Sequence, residues 1–278
     1  MIVEPQPIDD GFDALMGKVE RERGFSCARY KQKCLRRRVA VRMRALSLAS
    51  FAEYSHLLDH DAGEFDRLIG TLTISVTRFF RDTPVWRAVS TEVVPVLWES
   101  DRPDITIWSA GCASGEEPLS MAMLFHRHAA KLGMLAQIDR VKILGTDVDK
   151  RALLAAGRAE YSLSDVVDAP SELRERYFSP GPPFIPSAAI RRMVRFAEQD
   201  LLGPDFFPGI QDVIICRNVL IYFDRPTQER VLDQFSRVLA PGGYLILGKV
   251  ETLLGASRAG FAAVAQRERI FRKVSRQE

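Results

Sequence analysis

The sequence predicts an α/β protein in which an N-terminal helical domain precedes a mostly parallel, doubly wound sheet. Two observations carry this prediction. Residues 13–97 are rich in Leu, Ala, Arg and Glu and contain no proline before Pro84, which is typical of helices. From residue 105 onward, short apolar runs alternate with longer amphipathic segments, and this alternation is typical of parallel strands joined by helices.

The helical region contains a stripe of apolar residues at helical spacing, which predicts one buried face. The residues expected on it are Tyr30, Cys34, Val41, Ala45 and Leu48. The sequence Asp-Arg-Pro-Asp at 101–104 then ends the helical pattern, because proline and aspartate favour turns. We therefore assign residues 1–85 to an N-terminal helical domain, 86–104 to a linker and 105–278 to the sheet domain.

Five apolar runs are the predicted parallel strands, at residues 105–108, 141–144, 194–196, 212–216 and 244–247. The helices between them are predicted at 116–131, 149–157 and 227–239, and a closing antiparallel pair at 262–265 and 270–273. Residues 158–192 interrupt this rhythm with Ser-Pro-Gly-Pro-Pro, which predicts an inserted small subdomain. Ligands of such sheets bind beyond the carboxyl ends of the strands.

The composition narrows the class of protein. With 46% hydrophobic and 27% charged residues, the chain has the proportions of a soluble globular protein. Its four cysteines show no CxxC spacing, so neither a disulfide framework nor a metal site is expected. The N-terminus lacks the apolar core of a signal peptide, and no run of 18 apolar residues occurs. We therefore expect a cytoplasmic protein without membrane insertion.

Positive charge is concentrated in one short segment. Residues 21–44 contain ten Lys or Arg and one acid, which leaves 29 basic and 35 acidic residues elsewhere. Lys31, Arg38 and Arg42 share one face of a predicted helix, flanked by Arg37 and Arg44. A solvated helix face would have the same pattern, but such an excess favours an interaction surface for an anionic partner.

A small-residue turn, Ser-Ala-Gly-Cys-Ala-Ser-Gly-Glu-Glu-Pro, follows the first predicted strand at 109–118. Its glycines allow a ligand to approach the backbone, although an ordinary tight turn has the same composition. They do not form Gly-x-Gly-x-x-Gly, so a pyrophosphate is not favoured. Glu116 and Glu117 suit a helix N-terminus, and they also suit a cationic ligand with hydroxyls, such as S-adenosylmethionine.

Polar residues also follow the second and fourth predicted strands. Asp147, at the end of the second strand, is placed to accept hydrogen bonds from ribose hydroxyls, whereas Asp149 is the expected cap of the next helix. After the fourth strand, Asn218 and Tyr222 are ligand-facing candidates, although a turn residue and a core aromatic are equally compatible. Arg217 needs a partner, because it ends an apolar strand.

Four motifs, in this order, resemble those of the chemotaxis receptor glutamate methyltransferases of the CheR type. They are Ser-Val-Thr-Arg-Phe-Phe-Arg at 75–81, Trp-Ser-Ala-Gly-Cys-Ala-Ser-Gly-Glu-Glu-Pro at 108–118, Gly-Thr-Asp-Val-Asp at 145–149 and Cys-Arg-Asn-Val-Leu-Ile-Tyr-Phe-Asp at 216–224. The resemblance implies a class I methyltransferase domain (a Rossmann-like sheet) with a small β-subdomain at about 158–192. It also implies an all-helical domain before it.

The resemblance further implies the donor, the acceptor and the residues that bind them. The donor is S-adenosyl-L-methionine, which leaves as S-adenosyl-L-homocysteine, and the acceptors are glutamate side chains in the cytoplasmic helical domain of chemoreceptors. Cofactor contacts carried over from the family's motifs are Ser75, Thr77, Arg81, Glu117, Asp147, Asp200, Leu201, Asn218 and Val219. Candidates for orienting the acceptor are Arg81 and Tyr222, and candidates for contacting the receptor are Lys31, Arg38, Arg42 and Arg44.

The chain departs from the family's pattern at several positions. Ser75 and Asp200 stand where family members often have asparagine, and Gly-Lys-Val-Glu at 248–251 stands where many have a His-Ser-Glu version. The insertion is also compact after Phe178, which puts in doubt a second contact with a receptor tether peptide.

The expected reaction is methyl transfer to a protein carboxylate, which sets adaptation in chemotaxis signalling. Two other functions stay open. A nucleic-acid methyltransferase would use the basic helix on phosphates, but the loop after the fourth strand lacks the Asn/Asp-Pro-Pro-aromatic pattern of enzymes that methylate base amines. A non-catalytic protein that senses S-adenosylmethionine is the second. We therefore expect no nucleic-acid partner.

Overall fold

The computed structural model describes residues 11–73, 77–203 and 209–274 of the chain. Its contacts divide into two compact units. The helical unit comprises the chain up to residue 74 together with 222–224, and the sheet unit comprises 75–221 and 225–278. No helix in the described ranges is both long and apolar enough to cross a membrane.

In its described residues, the helical unit contains four α-helices, α1 (Phe12–Arg23), α2 (Gln32–Ala45), α3 (Phe51–His60) and α4 (Ala62–Leu72). Side-chain caps start two of them. The Ser50 hydroxyl accepts a hydrogen bond from Glu53 N at 3.2 Å, and the Asp61 carboxylate accepts one from Gly63 N at 2.9 Å. The largest fully buried side chains of this unit are Phe12, Leu15, Leu35, Tyr54, Leu68 and Leu72.

Within the described residues, the sheet unit contains one seven-stranded sheet. Its strands are β1 (Ile105–Ala110), β2 (Val141–Asp147), β3 (Val194–Glu198), β4 (Gln211–Cys216), β5 (Leu239–Leu247), β6 (Phe261–Ala265) and β7 (Ile270–Lys273). They lie in the order β3-β2-β1-β4-β5-β7-β6, with β1 to β5 parallel and β7 antiparallel to both neighbours. The predicted parallel sheet and its closing antiparallel pair are thereby confirmed.

The helices of the sheet unit occupy the connections between strands and the segment before β1. They are α5 (Thr83–Ala88), α6 (Val94–Trp98), α7 (Glu116–Lys131), α8 (Lys150–Arg158), α9 (Leu163–Val166), α10 (Ser171–Tyr177), α11 (Ala188–Arg191) and α12 (Arg225–Val238), with a π-helical turn at Val89–Val93. Because β1 and β4 are neighbours while the chain leaves them toward opposite edges of the sheet, a crevice is expected at their carboxyl ends.

The predicted linker at 86–104 is wrong. Most of the segment is helical, and Trp86, Val89, Val93 and Trp98 are buried in the core of the sheet unit. The two compact units divide between residues 74 and 75, rather than at 85. The Asp-Arg-Pro-Asp sequence at 101–104 therefore ends a helix inside one unit, where the Arg102 guanidinium pairs with Asp212 at the start of β4.

The small β-subdomain expected at 158–192 is also corrected. This segment contains the short helices α9, α10 and α11, and its β pairing is limited to two isolated bridges, Tyr161 with Phe184 and Phe178 with Pro186. The Ser-Pro-Gly-Pro-Pro sequence lies between the paired residues, and its prolines lack the N–H groups that a longer ladder requires.

Candidate functional site

The glycine turn after β1 contacts the ends of two neighbouring strands. Gly111 N and Cys112 N donate hydrogen bonds to Thr146 O of β2 at 2.8 and 2.9 Å. Gly111 has a φ of +80°, and a Cβ atom there would lie 2.5 Å from Cγ2 of Val219, which follows β4. Only glycine combines this backbone conformation with so close an approach. The turn thus joins the carboxyl ends of β1, β2 and β4.

Asp147 is half-buried at the end of β2. Its carboxylate accepts hydrogen bonds from Ala113 N at 2.8 Å and from Asp149 N at 2.9 Å. Burial raises the pKa of Asp147, and these backbone donors oppose the rise. A carboxylate has about four acceptor positions, and the backbone N–H groups of Ala113, Val148 and Asp149 use up to three of them. Acceptor capacity remains for a ligand hydroxyl, so ribose binding stays a prediction. Asp149 caps α8 as predicted, since its carboxylate accepts from Arg151 N at 2.9 Å.

Glu117 and Arg217 form a buried ion pair at the ends of β1 and β4. Arg217 Nη1 lies 3.6 Å from Glu117 Oε2, and the Ser109 hydroxyl donates to Glu117 Oε1 at 2.8 Å. Burial raises the pKa of Glu117, while Arg217 and Ser109 oppose that rise. Arg217 Nη2 also donates to Asp82 Oδ2 at 2.8 Å. The partner that the sequence required for Arg217 is therefore supplied by these two carboxylates.

The backbone of Arg81 is held from two sides. Its carbonyl oxygen accepts hydrogen bonds from Arg217 Nη2 and from Trp86 Nε1, both at 3.0 Å. Phe79 and Phe80 are buried in the core as the sequence indicated, with 0% and 1% exposure. The Arg81 guanidinium is near enough to Glu117 to lower the pKa of that carboxyl. The segment therefore presents the Arg81 side chain from a rigid support.

The other predicted cofactor contacts follow β3 and β4 or precede α5. Asp200 Oδ1 accepts a hydrogen bond from Leu202 N at 2.8 Å, so this carboxylate stabilises the turn after β3 in which Leu201 is buried. Thr77 is half-buried, two residues before the buried Phe79. Ser75 lies outside the described residues.

Asn218 and Val219 are held by a residue that sequence reasoning did not select, Glu251. Its Oε2 accepts hydrogen bonds from Asn218 N at 3.0 Å and Gly248 N at 2.6 Å, and its Oε1 accepts from Val219 N at 2.9 Å. Burial raises the pKa of Glu251, and these backbone donors together with Ile221 N oppose the rise. An acid directly after the apolar β5 was the signal that could have identified it.

Tyr222, the second candidate for orienting the acceptor, belongs by its contacts to the helical unit. Its carbonyl oxygen accepts a hydrogen bond from Lys31 N at 2.9 Å, and its ring lies 4.4 Å below the Arg38 guanidinium. Arg38 is buried, and its Nη1 donates to Leu72 O. The prediction that Arg38 lies on an exposed receptor-binding face is therefore wrong.

The buried face of α2 also differs from the predicted one. The residues of α2 that the structure buries are Leu35, Arg38, Val39 and Met43. Val41, which the sequence placed on the buried stripe, is 48% exposed. The buried face of α2 thus lies about 100° around the helix axis from the predicted stripe, which exposes Val41. Arg38 lies at the edge of the buried face, where its contacts with Leu72 O and the Tyr222 ring bury it.

Arg42 is also engaged inside the helical unit. Its Nε and Nη2 donate to the two oxygens of the buried Glu64 at 2.7 and 2.6 Å, and Arg67 Nε and the Tyr54 hydroxyl donate to the same carboxylate, each at 2.8 Å. Arg42 therefore has a structural partner that the prediction of a receptor contact did not include. The exposed bases of residues 21–44 are Arg21, Arg23, Lys31, Lys33, Arg36, Arg37 and Arg44.

The ends of β1 and β2 carry the negative charge and the hydrogen-bond acceptors that S-adenosylmethionine requires. Glu117 is buried among protein atoms with an ionised partner, and Asp147 retains acceptor capacity beside a turn that contains glycine. Such acids fit a ligand with an ammonium group, a sulfonium and ribose hydroxyls, and they oppose a diphosphate. The residues present therefore fit the expected cofactor.

Comparison with known proteins agrees with this geometry. The family model described as "CheR methyltransferase, SAM binding domain" matches residues 75–270, and the one described as "CheR methyltransferase, all-alpha domain" matches residues 10–73. The two matches meet where the two compact units divide.

Two curated relatives match over most of their length. A chemotaxis protein methyltransferase of Listeria monocytogenes is 32% identical over 88% of this chain and 91% of its own length. Chemotaxis protein methyltransferase 2 of Pseudomonas aeruginosa is 33% identical over 89% of this chain and 88% of its own length.

The Glu64 cluster predicts an acid-dependent loss of stability. Although burial opposes ionisation, the hydrogen bonds from Arg42, Arg67 and Tyr54 lower the pKa of Glu64 from 4.5 to about 2. A carboxyl whose pKa is lowered by folding stabilises the protein above its unfolded pKa, so this contribution is present above pH 4.5 and is lost as the pH falls toward 2. Glu64→Gln should lower the free energy of unfolding at pH 7 by about 2–3 kcal/mol.

Denaturant unfolding at several pH values checks this expectation. The difference in stability between wild type and Glu64→Gln should shrink as the pH is lowered from 5 to 3. Glu53→Gln, a change of the exposed acid that caps the start of α3, is the control for a surface carboxylate. A constant difference over this pH range would contradict the role given to Glu64.

Asp147 generates a second prediction, on affinity. Replacement by alanine removes a charged acceptor from the end of β2, and we expect S-adenosylhomocysteine binding to weaken by about 1.5–3 kcal/mol. Asp147→Asn, which keeps one acceptor oxygen, should lose less. Calorimetric titration measures both values, and unchanged affinity in a folded alanine variant would remove Asp147 from the cofactor site.

Proposed function

The chain belongs to the CheR methyltransferase family, and on that premise we propose that it transfers a methyl group from S-adenosylmethionine to glutamate side chains of chemoreceptors. The observation that carries this proposal is the buried Glu117–Arg217 pair, which lies against the backbone carbonyl of Arg81. Glu117 is an acid that suits a cationic cofactor. Through Arg217 it is connected to the segment whose Arg81 guanidinium is available for an acceptor carboxylate.

When bound, S-adenosylmethionine supplies a methyl group on a positively charged sulfur, and the chain's own residues have to bind, orient and exclude water. Glu117 supplies negative charge for the cationic part of the cofactor, and Asp147 accepts hydrogen bonds from its ribose. Asn218 and Val219 bind from the loop after β4, and Thr77, Asp200 and Leu201 complete the proposed contacts. Ser75, which the family resemblance adds, is part of the same proposal.

Arg81 is proposed to orient the acceptor glutamate. A glutamate side chain is already ionised at neutral pH, so the reaction needs no strong general base. Positioning alone supplies roughly 7–11 kcal/mol in favourable cases. A guanidinium can hold one carboxylate oxygen while the other faces the methyl group. Tyr222, in the segment after β4, is the proposed second orienting group.

The exposed bases of α2 are proposed to contact the receptor. Lys33, Arg37 and Arg44 are exposed and project within about 40° of one another around the helix axis. Val41, 48% exposed, lies beside them. A stripe of three cations with one apolar residue fits an acidic helix laid along α2. This stripe replaces the face formed by Arg38 and Arg42, while Lys31 and Arg44 of the original set remain exposed.

The proposal is tested by incubating the protein with radiolabelled S-adenosylmethionine and membranes that contain chemoreceptors. Carboxyl methyl esters hydrolyse in base and release labelled methanol, whereas N-methyl groups on proteins or nucleic acids do not. Base-labile label on the receptor supports the proposal. Label that resists base, or label on nucleic acid, would overturn it, and cofactor binding without transfer to any receptor would favour a sensing role.

Arg81→Ala should chiefly lower turnover, because orientation of the acceptor matters most in the transition state. We expect a loss of at least roughly tenfold at saturating cofactor, or about 1.4 kcal/mol of barrier. Arg81→Lys should recover part of it, since lysine keeps the charge but lacks the planar fork. The matched control is Arg78→Ala, because Arg78 is exposed and lies 3.6 Å from Asp168. Normal turnover of a folded Arg81→Ala enzyme would exclude Arg81.

Reversing the charges of Lys33, Arg37 and Arg44 to glutamate should reduce receptor methylation by about tenfold or more at low ionic strength. The affinity for S-adenosylhomocysteine should not change, since no cofactor contact is proposed on α2. The control is the same triple reversal at Arg191, Arg192 and Arg195, which are exposed bases of the sheet unit. Equal rates for the two triple variants would show that charge on α2 has no specific role.

A further inference from the structure

The Glu251 carboxylate accepts hydrogen bonds from the backbone of two loops. Gly248 N, in its own turn after β5, donates to it, and so do Asn218 N, Val219 N and Ile221 N in the loop after β4. Glu251 is only 4% exposed. Because β4 and β5 are adjacent strands, one carboxylate fixes the loops at the ends of both.

The same loop is wedged between two glycines. A Cβ atom on Gly248 would lie 2.6 Å from Glu251 Oε2 and 2.7 Å from Asn218 N. A Cβ atom on Gly111 would lie 2.5 Å from Val219 Cγ2. Asn218 itself has a φ of +62°, a conformation that only a few residue types adopt readily. The loop therefore has little room to move in either direction while Glu251 holds it.

We propose that Glu251 is a positioning residue, which fixes the backbone of 218–221 in the conformation that binds the cofactor. It touches neither cofactor nor acceptor itself. The expected effect of Glu251 on cofactor affinity requires only that the domain binds S-adenosylmethionine. The expected effect on methyl transfer also requires the proposed function.

The chemistry of the contact explains why a carboxylate is required. Four N–H groups point at one side chain, and an ionised carboxylate is the side chain that only accepts hydrogen bonds. Glutamine is nearly the same size, but its NH₂ group would face donors and leave at least one of them unpaired. Aspartate keeps the charge on a shorter side chain, so it should reach the loop only in part.

The test measures S-adenosylhomocysteine affinity of the full chain by calorimetry, well below the melting temperature of each variant. We expect Glu251→Gln to raise the dissociation constant roughly tenfold and Glu251→Asp to raise it less. Gly248→Ala should weaken binding as well, because the added methyl group displaces the carboxylate without changing its charge. Val250→Ala is the matched control, since Val250 lies in the same turn and is 74% exposed.

A purely structural role would lower the melting temperature but leave the affinity of the folded molecules unchanged. A dissociation constant of folded Glu251→Gln within twofold of wild type would therefore overturn the proposal. The measurement needs no acceptor, so it stays valid if the wild-type protein methylates no receptor and the proposed function fails. If receptor methylation is observed, the Km for S-adenosylmethionine should rise in the same order as the dissociation constants.

Hydrogen exchange decides the case if Glu251→Gln does not fold. In the wild-type protein, the amides of 218–221 should exchange slowly, because a buried carboxylate holds three of them. In Glu251→Asp they should exchange at least tenfold faster, and S-adenosylhomocysteine should restore part of the protection. Equal exchange in the two proteins would contradict the positioning role.

Discussion

The buried guanidinium of Arg217 is the interaction on which the rest of the candidate site depends. Its side chain is 2% exposed, and it contacts Glu117 after β1, Asp82 before α5 and the carbonyl oxygen of Arg81. Removing one partner of a buried ion pair costs several kcal/mol, because the remaining charge stays out of water. The three segments must therefore be in place together, and the position of Arg81 follows from the position of β4.

Three carboxylates at the ends of the central strands, the buried Glu117 and Glu251 and the half-buried Asp147, are stabilised by two different physical means. Glu117 has a full positive charge opposite it in Arg217, whereas Asp147 and Glu251 are held by backbone N–H dipoles. Dipoles are fixed by the fold, so they orient a carboxylate without offering a mobile cation that could compete with a ligand. Arg217 instead favours the ionised form of Glu117, and Asp147, which is held by dipoles, keeps acceptor capacity for hydroxyls.

Sequence patterns predicted the elements whose periodicity reports burial directly. The strands of the parallel sheet, α7 and the cap at Asp149 are where the sequence placed them. Helical spacing was less informative for α2, since it shows which residues share a face but not which face is buried, and Val41 is exposed where a buried residue was predicted. Burial of an arginine depends on distant partners such as Leu72 O and the Tyr222 ring.

The contacts of Glu251 could not be derived from the sequence for a related reason. Its four partners are backbone amides, which carry no sequence signal, and only the pairing of β4 with β5 brings them to one carboxylate. The predictions of the linker and of the β-subdomain failed for a different reason. A proline-containing turn marks the end of an element without showing whether a domain ends there. The sequence shows the order of the motifs along the chain. The order of the strands in the sheet, which the sequence does not show, brings these motifs together at one crevice.

The helical unit is not continuous in sequence, since it includes Tyr222, Phe223 and Asp224 from beyond β4. Tyr30 pairs with Phe223, and Asp224 N donates to Arg29 O at 3.1 Å. During synthesis, the four helices leave the ribosome long before these residues exist, so the helical unit cannot be completed until the segment after β4 has been translated. Until then the Arg38 guanidinium lacks the ring beneath it, and final consolidation of the N-terminal helices waits for translation of the first four strands.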